Sequence, residues 1–500
     1  METNGDRFYN QLIHESVEAF PTDKPDLLKG FLTSVCSASP TLNELIGAQI
    51  EELIAEPTSQ DRATVLSKVL TFVYATVELR PIADKYFGEY CALQASNFIE
   101  QFTACDDRKV LFIAHIPYFQ IARESVALRE LGYKTFLIHA ENSNPSNNEL
   151  RSDCYDGQIS LPPNLILFQH VIQFCNPELI HLQVGMFELE FPISRFIAEN
   201  KGNAYCVAAF YDILSNWCEY EDLEKEMPEL AGFSYETEKS VVTNSTAVTC
   251  RFHPSAIKEF RTFHSTEIEV MEFHPYPLPD FIKYSKDKHS HRDGITRLIY
   301  AGRVVKLEPN GSFPWPHLRI GGYLINTFRR ITEQGIALDF FMDPNFDIRS
   351  EMGYELYQEM AMMDDLFALK SGLPPDKFAN AINHHDFGLN MIAVDTQKLA
   401  NKKTQFLSVG TKIFTYLEAG LPVIVNREWT HTSDLIEENG LGISLHSYEI
   451  DRLSEAIAAF DYDQAVENIK KYNTDNNLYD RIENLSALYE RILPKWKCKD

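Results

Sequence analysis

The strongest constraint on this chain is an alternation of short apolar runs with helical segments, interrupted once and then resumed. Lys109-Val110-Leu111-Phe112-Ile113-Ala114-His115 is almost continuously apolar. That suits a strand covered on both faces in a parallel sheet rather than one with a wet side. A loop with Pro117 follows, then apolar residues at helical spacing over 121–131, and Gly132 where a helix stop is expected. The next apolar run spans 135–139. Strand, crossover helix and parallel strand make the unit from which doubly wound sheets are assembled. The pattern predicts further strands over 165–169, 179–183, 204–210, 238–244 and 267–272, and a helix over 191–200.

Residues 283–294 are polar, basic and without apolar periodicity, so they read as an interdomain linker. His289 and His291 within it read as solvated chain rather than a metal site. A second series begins at Arg297-Leu298-Ile299-Tyr300-Ala301-Gly302-Arg303. It predicts helices over 320–334, 375–383, 412–419 and 450–460, and strands over 337–342, 387–392, 422–425 and 441–445. Two successive halves of this kind imply two Rossmann-like α/β domains facing across a cleft. The expected division is a helical N-terminal domain over 1–105, a first α/β domain over 106–285 completed by a C-terminal helix within 475–500, and a second over 290–474. The front carries helical spacing over 8–19, 42–55, 62–79 and 82–102, with Thr41 opening a capping-box pattern.

Composition narrows the function classes. The 500 residues carry a formal net charge of −26, which repels polyanions at long range and argues against general nucleic-acid binding. It equally disfavours docking on an anionic membrane. No run approaches the roughly 18 apolar residues of a membrane span, and the first residues lack a signal-peptide pattern. The nine cysteines are an odd number without CxxC pairs, which fits free thiols and a cytoplasmic location. The tail Pro494-Lys495-Trp496-Lys497-Cys498-Lys499-Asp500 is the one segment with a case for peripheral membrane contact.

The chemistry-bearing run is Ser408-Val409-Gly410-Thr411-Lys412-Ile413-Phe414-Thr415-Tyr416-Leu417-Glu418-Ala419-Gly420-Leu421-Pro422-Val423-Ile424. A loop opens a helix there, so backbone amides and the helix dipole favour an anion, and Lys412 adds a point charge suited to phosphate. The same run also reads as an ordinary helix-to-strand connection. Asp461-Tyr462-Asp463 reads as helix capping rather than a metal motif. Residues 360–363, which hold three methionines, read as core packing, and no P-loop spacing occurs.

The run resembles the K-x-F-E-Y-L-x-A-G-x-P-V-I block of GT-B-fold glycosyltransferases, especially the retaining family 4 group. Pro177-Glu178-Leu179-Ile180-His181, residues 241–245, and Ile299-Tyr300-Ala301-Gly302-Arg303 resemble other landmarks of that group in the same order. The resemblance spans 108–493 and leaves the helical front outside. It implies a hexosyl transfer from a nucleotide-sugar, used as substrate and not as cofactor, to a glycan, lipid-linked or protein acceptor, with retention and without a metal. It implies Asp212, Arg303 and Lys412 as catalytic residues. It puts Arg303, Lys306, Gly410, Thr411, Lys412, Thr415 and Glu418 at the donor, and His115 and Tyr211 on the acceptor side. The sequence departs from the pattern where Thr415 and Leu407 stand in place of two family glutamates, and where Tyr211 replaces a histidine. Two alternatives stay open: another GT-B enzyme such as a nucleotide-sugar epimerase, or a GT-B binding protein that has lost turnover. The helical front is a further candidate for homo-oligomer contacts.

Overall fold

The computed structural model describes residues 25–56, 95–115, 119–140, 154–161, 165–185, 190–213, 228–302, 324–343, 353–391 and 407–493, plus single positions between them. The helices expected over 8–19, and most of those over 62–79 and 82–102, lie outside the described residues, as does the tail 494–500. At the front, α1 (Pro25–Ala38) and α2 (Pro40–Ala55) bury Leu28, Phe31, Leu32, Val35, Leu42, Ile50 and Leu53 in a cluster of their own. The N-cap of α2 is Ser39 rather than Thr41: its side chain accepts from Leu42 N at 3.2 Å and Pro40 occupies the first turn, where no amide is needed.

A third helix, α3 (Ser96–Thr103), does not belong to that front. Phe98 and Phe102 pack edge-on against Phe136 of the first sheet. That sheet has seven parallel strands in the order β3-β2-β1-β4-β5-β6-β7. They are β1 (Lys109–Ala114), β2 (Lys134–Ala140), β3 (Gly157–Leu161), β4 (Leu179–Val184), β5 (Tyr205–Phe210), β6 (Ala247–Cys250) and β7 (Glu269–Glu272). Side chains of β1 alternate between two cores. Leu111 and Ile113 join α5 (Leu165–Cys175), α6 (Glu190–Asn200), α7 (Pro228–Asn244) and α8 (Pro254–His264), while Val110, Phe112 and Ala114 face α4 (Phe119–Glu130) and the last helix. The second sheet has six parallel strands, β10-β9-β8-β11-β12-β13. These are β8 (Arg297–Gly302), β9 (Ala337–Met342), β10 (Phe367–Lys370), β11 (Phe387–Asn390), β12 (Val423–Asn426) and β13 (Gly442–Leu445). They are flanked by α9 (Ile325–Thr332), α10 (Glu355–Met363), α11 (Pro375–Ile382), α12 (Lys412–Glu418), α13 (Thr430–Glu438), α14 (Leu453–Ala458) and α15 (Tyr462–Asp475). Two doubly wound sheets in succession are the GT-B arrangement.

Several expectations change. The apolar run at 165–169 is the first half of α5, because Phe168, Val171, Ile172 and Cys175 are buried at helical spacing. Residues 238–244 complete the 17-residue α7, and the strand follows at β6; the landmark resemblance at 241–245 therefore falls on a helix end. Of the methionines, Met360 is core, but Met362 and Met363 are 78% and 86% exposed. The linker is not solvated throughout, since Lys288 is buried and donates to Asn383 O at 2.7 Å. Asp461 caps α15, accepting from Gln464 N at 3.1 Å.

The last helix, α16 (Leu478–Ile492), returns to the first sheet. Tyr489 OH lies 2.5 Å from His181 Nδ1, Ser486 Oγ lies 2.8 Å from Tyr133 OH, and Arg108 pairs with Glu490 at 3.0 Å. A second tie is buried outright. Arg123 on α4 grips Glu418 at the end of α12 with two bonds of 2.6 and 2.8 Å, both side chains essentially inaccessible. Leu278 N donates to the same carboxylate at 2.8 Å. Glu418→Gln should therefore leave the guanidinium buried opposite a neutral group and cost about 3–5 kcal/mol. Denaturant unfolding of the full chain measures this; a loss below about 1 kcal/mol would mean that the pair is dispensable.

Candidate functional site

Parallel sheets bind ligands beyond the carboxyl ends of their strands, at the point where strand order reverses. In the second domain that point lies between β8 and β11. Strand β8 ends at Gly302, β9 is followed by Asp343, and β11 ends at Asn390. Helix α12 starts beside these ends. Its Tyr416 fixes it: the hydroxyl accepts from Ala301 N at 3.0 Å and donates to Leu389 O at 3.2 Å, and a Cβ on Gly388 would lie 2.3 Å from the ring.

This anchoring brings Lys412 over the end of β8. Its Nζ donates to Tyr300 OH at 2.9 Å and sits 4.1 Å from the centre of that ring. Gly302 has φ of +110°, and a Cβ there would meet Lys412 Cε at 2.9 Å, so both backbone and space require glycine. Burial pulls the Lys412 ammonium down to about 7, against an opposing pull from Asp343. The hydrogen bond it makes is to a neutral phenol, not a carboxylate. A strongly anionic ligand at this position would restore the charged form.

Gly410 and Thr411 flank the lysine, but the amide of Gly410 is not available to a ligand. It donates to Thr432 Oγ1 at 2.9 Å, and Thr432 in turn donates to Ser408 O at 3.0 Å. Gly410 is needed for close approach, since a Cβ would lie 2.3 Å from Asn390 Nδ2. That Nδ2 is buried and lacks a hydrogen-bond partner among the described residues, an unsatisfied donor next to the lysine loop. Thr415 is half-buried on the same helix.

The first domain meets this loop directly. Tyr211 OH lies 3.0 Å from Thr411 Oγ1. Phe252 and Ser408 form an antiparallel bridge, flanked by His253 N donating to Leu407 O at 2.7 Å and Val409 N to Arg251 O at 3.1 Å. The Leu407 side chain also packs against the core of the first domain. Asp212, expected as a catalytic residue, accepts from Arg251 Nη2 at 2.8 Å. Arg251 also donates from Nε to Tyr211 O at 2.9 Å and from Nη1 to Val409 O. Glu418, expected at the donor, holds Arg123 from the end of α12, where that helix meets the first domain. His115 stands after β1 with a buried Nδ1 that has no partner among the described residues, and burial lowers it to about 4, so it is neutral. Arg303 and Lys306 lie outside the described residues.

Of the expected site residues, the structure brings Tyr211 of the acceptor side against Thr411 of the donor loop that carries Gly410 and Lys412. The sequence reading missed Tyr300, Asn390, Arg251 and Thr432, whose roles depend on three-dimensional approach. Only Tyr300 carried a signal, as the residue before Ala301-Gly302.

Residues 346–477 match the family model of the Glucosyltransferase 3-like C-terminal domain, a span that contains α12 and its loop. No curated protein matches the chain at the sequence level. Among solved structures, the chain is similar to a mutant O-GlcNAc transferase of Thermobaculum terrenum, at 10% identity and TM-score 0.47, covering 98% of each chain. It is also similar to CalG4, the calicheamicin glycosyltransferase, at 11% identity and TM-score 0.43, covering 79% of this chain and 100% of that one. A third is the UDP-GlcNAc 2-epimerase of Neisseria meningitidis, at 11% identity and TM-score 0.42, covering 72% and 94%. The chain's two successive doubly wound parallel sheets have the GT-B arrangement. Within the second domain, residues 346–477 are similar to the Glucosyltransferase 3-like C-terminal domain.

The lowered Lys412 sets a pH dependence for any anion bound there. Affinity for pyrophosphate should be highest below pH 7 and fall as pH rises through 7, because the free site then loses the proton that the complex retains. Calorimetry at pH 8 in buffers of different ionisation enthalpy should show up to one proton taken up per ligand. Lys412→Ala should abolish both the uptake and most of the affinity.

Proposed function

We infer that the protein is a hexosyltransferase that uses a nucleotide-sugar donor. The observation that carries this reading is the half-buried Lys412 ammonium at the carboxyl end of β8, bonded among the described residues only to a phenol and next to an Asn390 amide that has no partner among them. Such a site is incomplete without a polyanion, and a diphosphate supplies one. The match of 346–477 to the glucosyltransferase 3-like domain supports a sugar nucleotide over other diphosphates.

In this reading the nucleotide lies on the second domain, with Arg303 and Lys306 approaching the diphosphate from the segment after β8, and Thr415 from the helix. Lys412 neutralises the charge that grows on the leaving phosphate, an interaction stronger in the transition state than in the ground state. The acceptor, a glycan, a lipid-linked saccharide or a protein hydroxyl, approaches from the first domain past Tyr211 and His115. With retention, its hydroxyl enters on the face that the diphosphate leaves, and the departing phosphate takes its proton. Asp212 acts as a positioning residue: through Arg251 it holds the carbonyls of Tyr211 and Val409.

No described helix is long and apolar enough to cross a membrane. We assign the protein to the cytoplasm, where nucleotide-sugars are the expected donors.

The test is a thermal-shift panel of nucleoside diphosphates and their sugars, followed by donor hydrolysis and transfer assays. One nucleotide should raise the melting temperature by linkage. Lys412→Ala should lower kcat/KM for that donor roughly 10²–10³-fold, about 3–4 kcal/mol. Release of an isomerised nucleotide-sugar without acceptor would favour an epimerase. Binding with neither transfer nor hydrolysis would leave a binding protein on the same fold.

A further inference from the structure

A second cluster of chemical groups spans the domain boundary and takes no part in the site above. Glu272 ends β7 and His274 follows two residues later, both from the first domain; His431 lies in the first turn of α13, in the second. Glu272 Oε1 is 2.7 Å from His274 Nε2 and 3.0 Å from His431 Nε2, and one ligand atom from each residue lies within 4.8 Å of the others. Their side chains are 28%, 11% and 15% exposed, so the cluster is sheltered yet reachable from solvent.

The surroundings favour a cation. Both imidazoles converge on a single carboxylate oxygen, so the three ligand atoms are already gathered within 4.8 Å of one another. Two ligands at tetrahedral positions about 2.0–2.1 Å from a zinc ion stand about 3.3 Å apart. The two Glu272–imidazole separations of 2.7 and 3.0 Å need only a few tenths of an ångström of spreading, and the two imidazole nitrogens, within 4.8 Å of each other, need to close toward that spacing. Arg251, the guanidinium in electrostatic reach of His274, is compensated by Asp212. Two imidazoles and one carboxylate are the donor set of a borderline cation. Calcium and magnesium prefer all-oxygen shells.

We propose that Glu272, His274 and His431 form a zinc-class divalent metal site that bridges the two domains, its fourth position open to water. The metal is structural in this assignment and has no step in the transfer. Its leverage comes from its neighbours. The His274 ring stacks on Phe414 of α12 at 6.1 Å. His431 adjoins Thr432, whose hydroxyl receives the amide of Gly410. An ion here would therefore clamp the Lys412 loop to the first domain.

The experiment uses the full chain, stripped of metal with a chelator. Calorimetric titration with Zn²⁺ should show one ion bound per chain and a raised melting temperature. Co²⁺ should give visible d–d absorption of a four-coordinate site, without the near-ultraviolet thiolate band that cysteine ligands would produce. His431→Ala and Glu272→Gln should each weaken Zn²⁺ binding at least tenfold and lose the thermal shift, while keeping the circular dichroism of the metal-free wild type. Absence of stoichiometric binding, a thiolate band with Co²⁺, or unchanged affinity in both variants would overturn the site. The Co²⁺ spectrum of the wild type decides the matter even if a variant fails to fold. Because neither metal readout involves a nucleotide, loss of this site and loss of the transferase reading are separately detectable.

Discussion

The buried pair between Arg123 and Glu418 is the contact on which the domain arrangement depends. Burying two charges without water is costly, and only good geometry with further hydrogen bonds offsets it. Here the guanidinium takes both carboxylate oxygens, and Leu278 N adds a third donor. Arg123 sits on the crossover helix of the first β-α-β unit and Glu418 on the helix that carries Lys412. An interaction of this kind is sensitive to direction and distance. It therefore holds α12 in one pose relative to the first domain, and with it the lysine.

Around this pair, smaller contacts act in the same sense. The bridge between Phe252 and Ser408 and the bonds of Arg251 pin the loop before Lys412. Tyr416 pins the helix to its own sheet. The result is a lysine that cannot relax away from Tyr300 and Gly302, held where burial lowers its proton affinity. Preorganisation of this kind is what makes one charge effective against a developing negative charge, since little reorganisation is left for the moment of reaction.

Much of the fold was legible because its strands are buried on both faces and so leave uninterrupted apolar runs. β1, β2, β4, β5, β8 and β9 all show this. Errors arose where periodicity was short. The run at 165–169 has too few residues to separate strand from helix, and only the burial of Val171, Ile172 and Cys175 beyond it settles the matter. β3 and β10 are partly exposed edge strands and carry little apolar signal. Ser39 outcompeted Thr41 as a cap because Pro40 fits the first turn.

By itself the sequence determined the two α/β halves, the helix opening at Lys412 and the glycines at 302 and 410, because strand burial, helix spacing and close backbone approach are local demands written in residue type. The tertiary structure alone decided what those residues touch. Glu418 and Asp212 are acids at plausible functional positions. Only the placement of Arg123 and Arg251, hundreds of residues and tens of residues away respectively, shows that each is bound to a guanidinium. The same holds for Glu272, His274 and His431, which share no local motif and meet only because the second domain folds back on the first. Charge pairing and ligand convergence depend on distances of a few ångströms between remote segments, and no one-dimensional pattern encodes those distances.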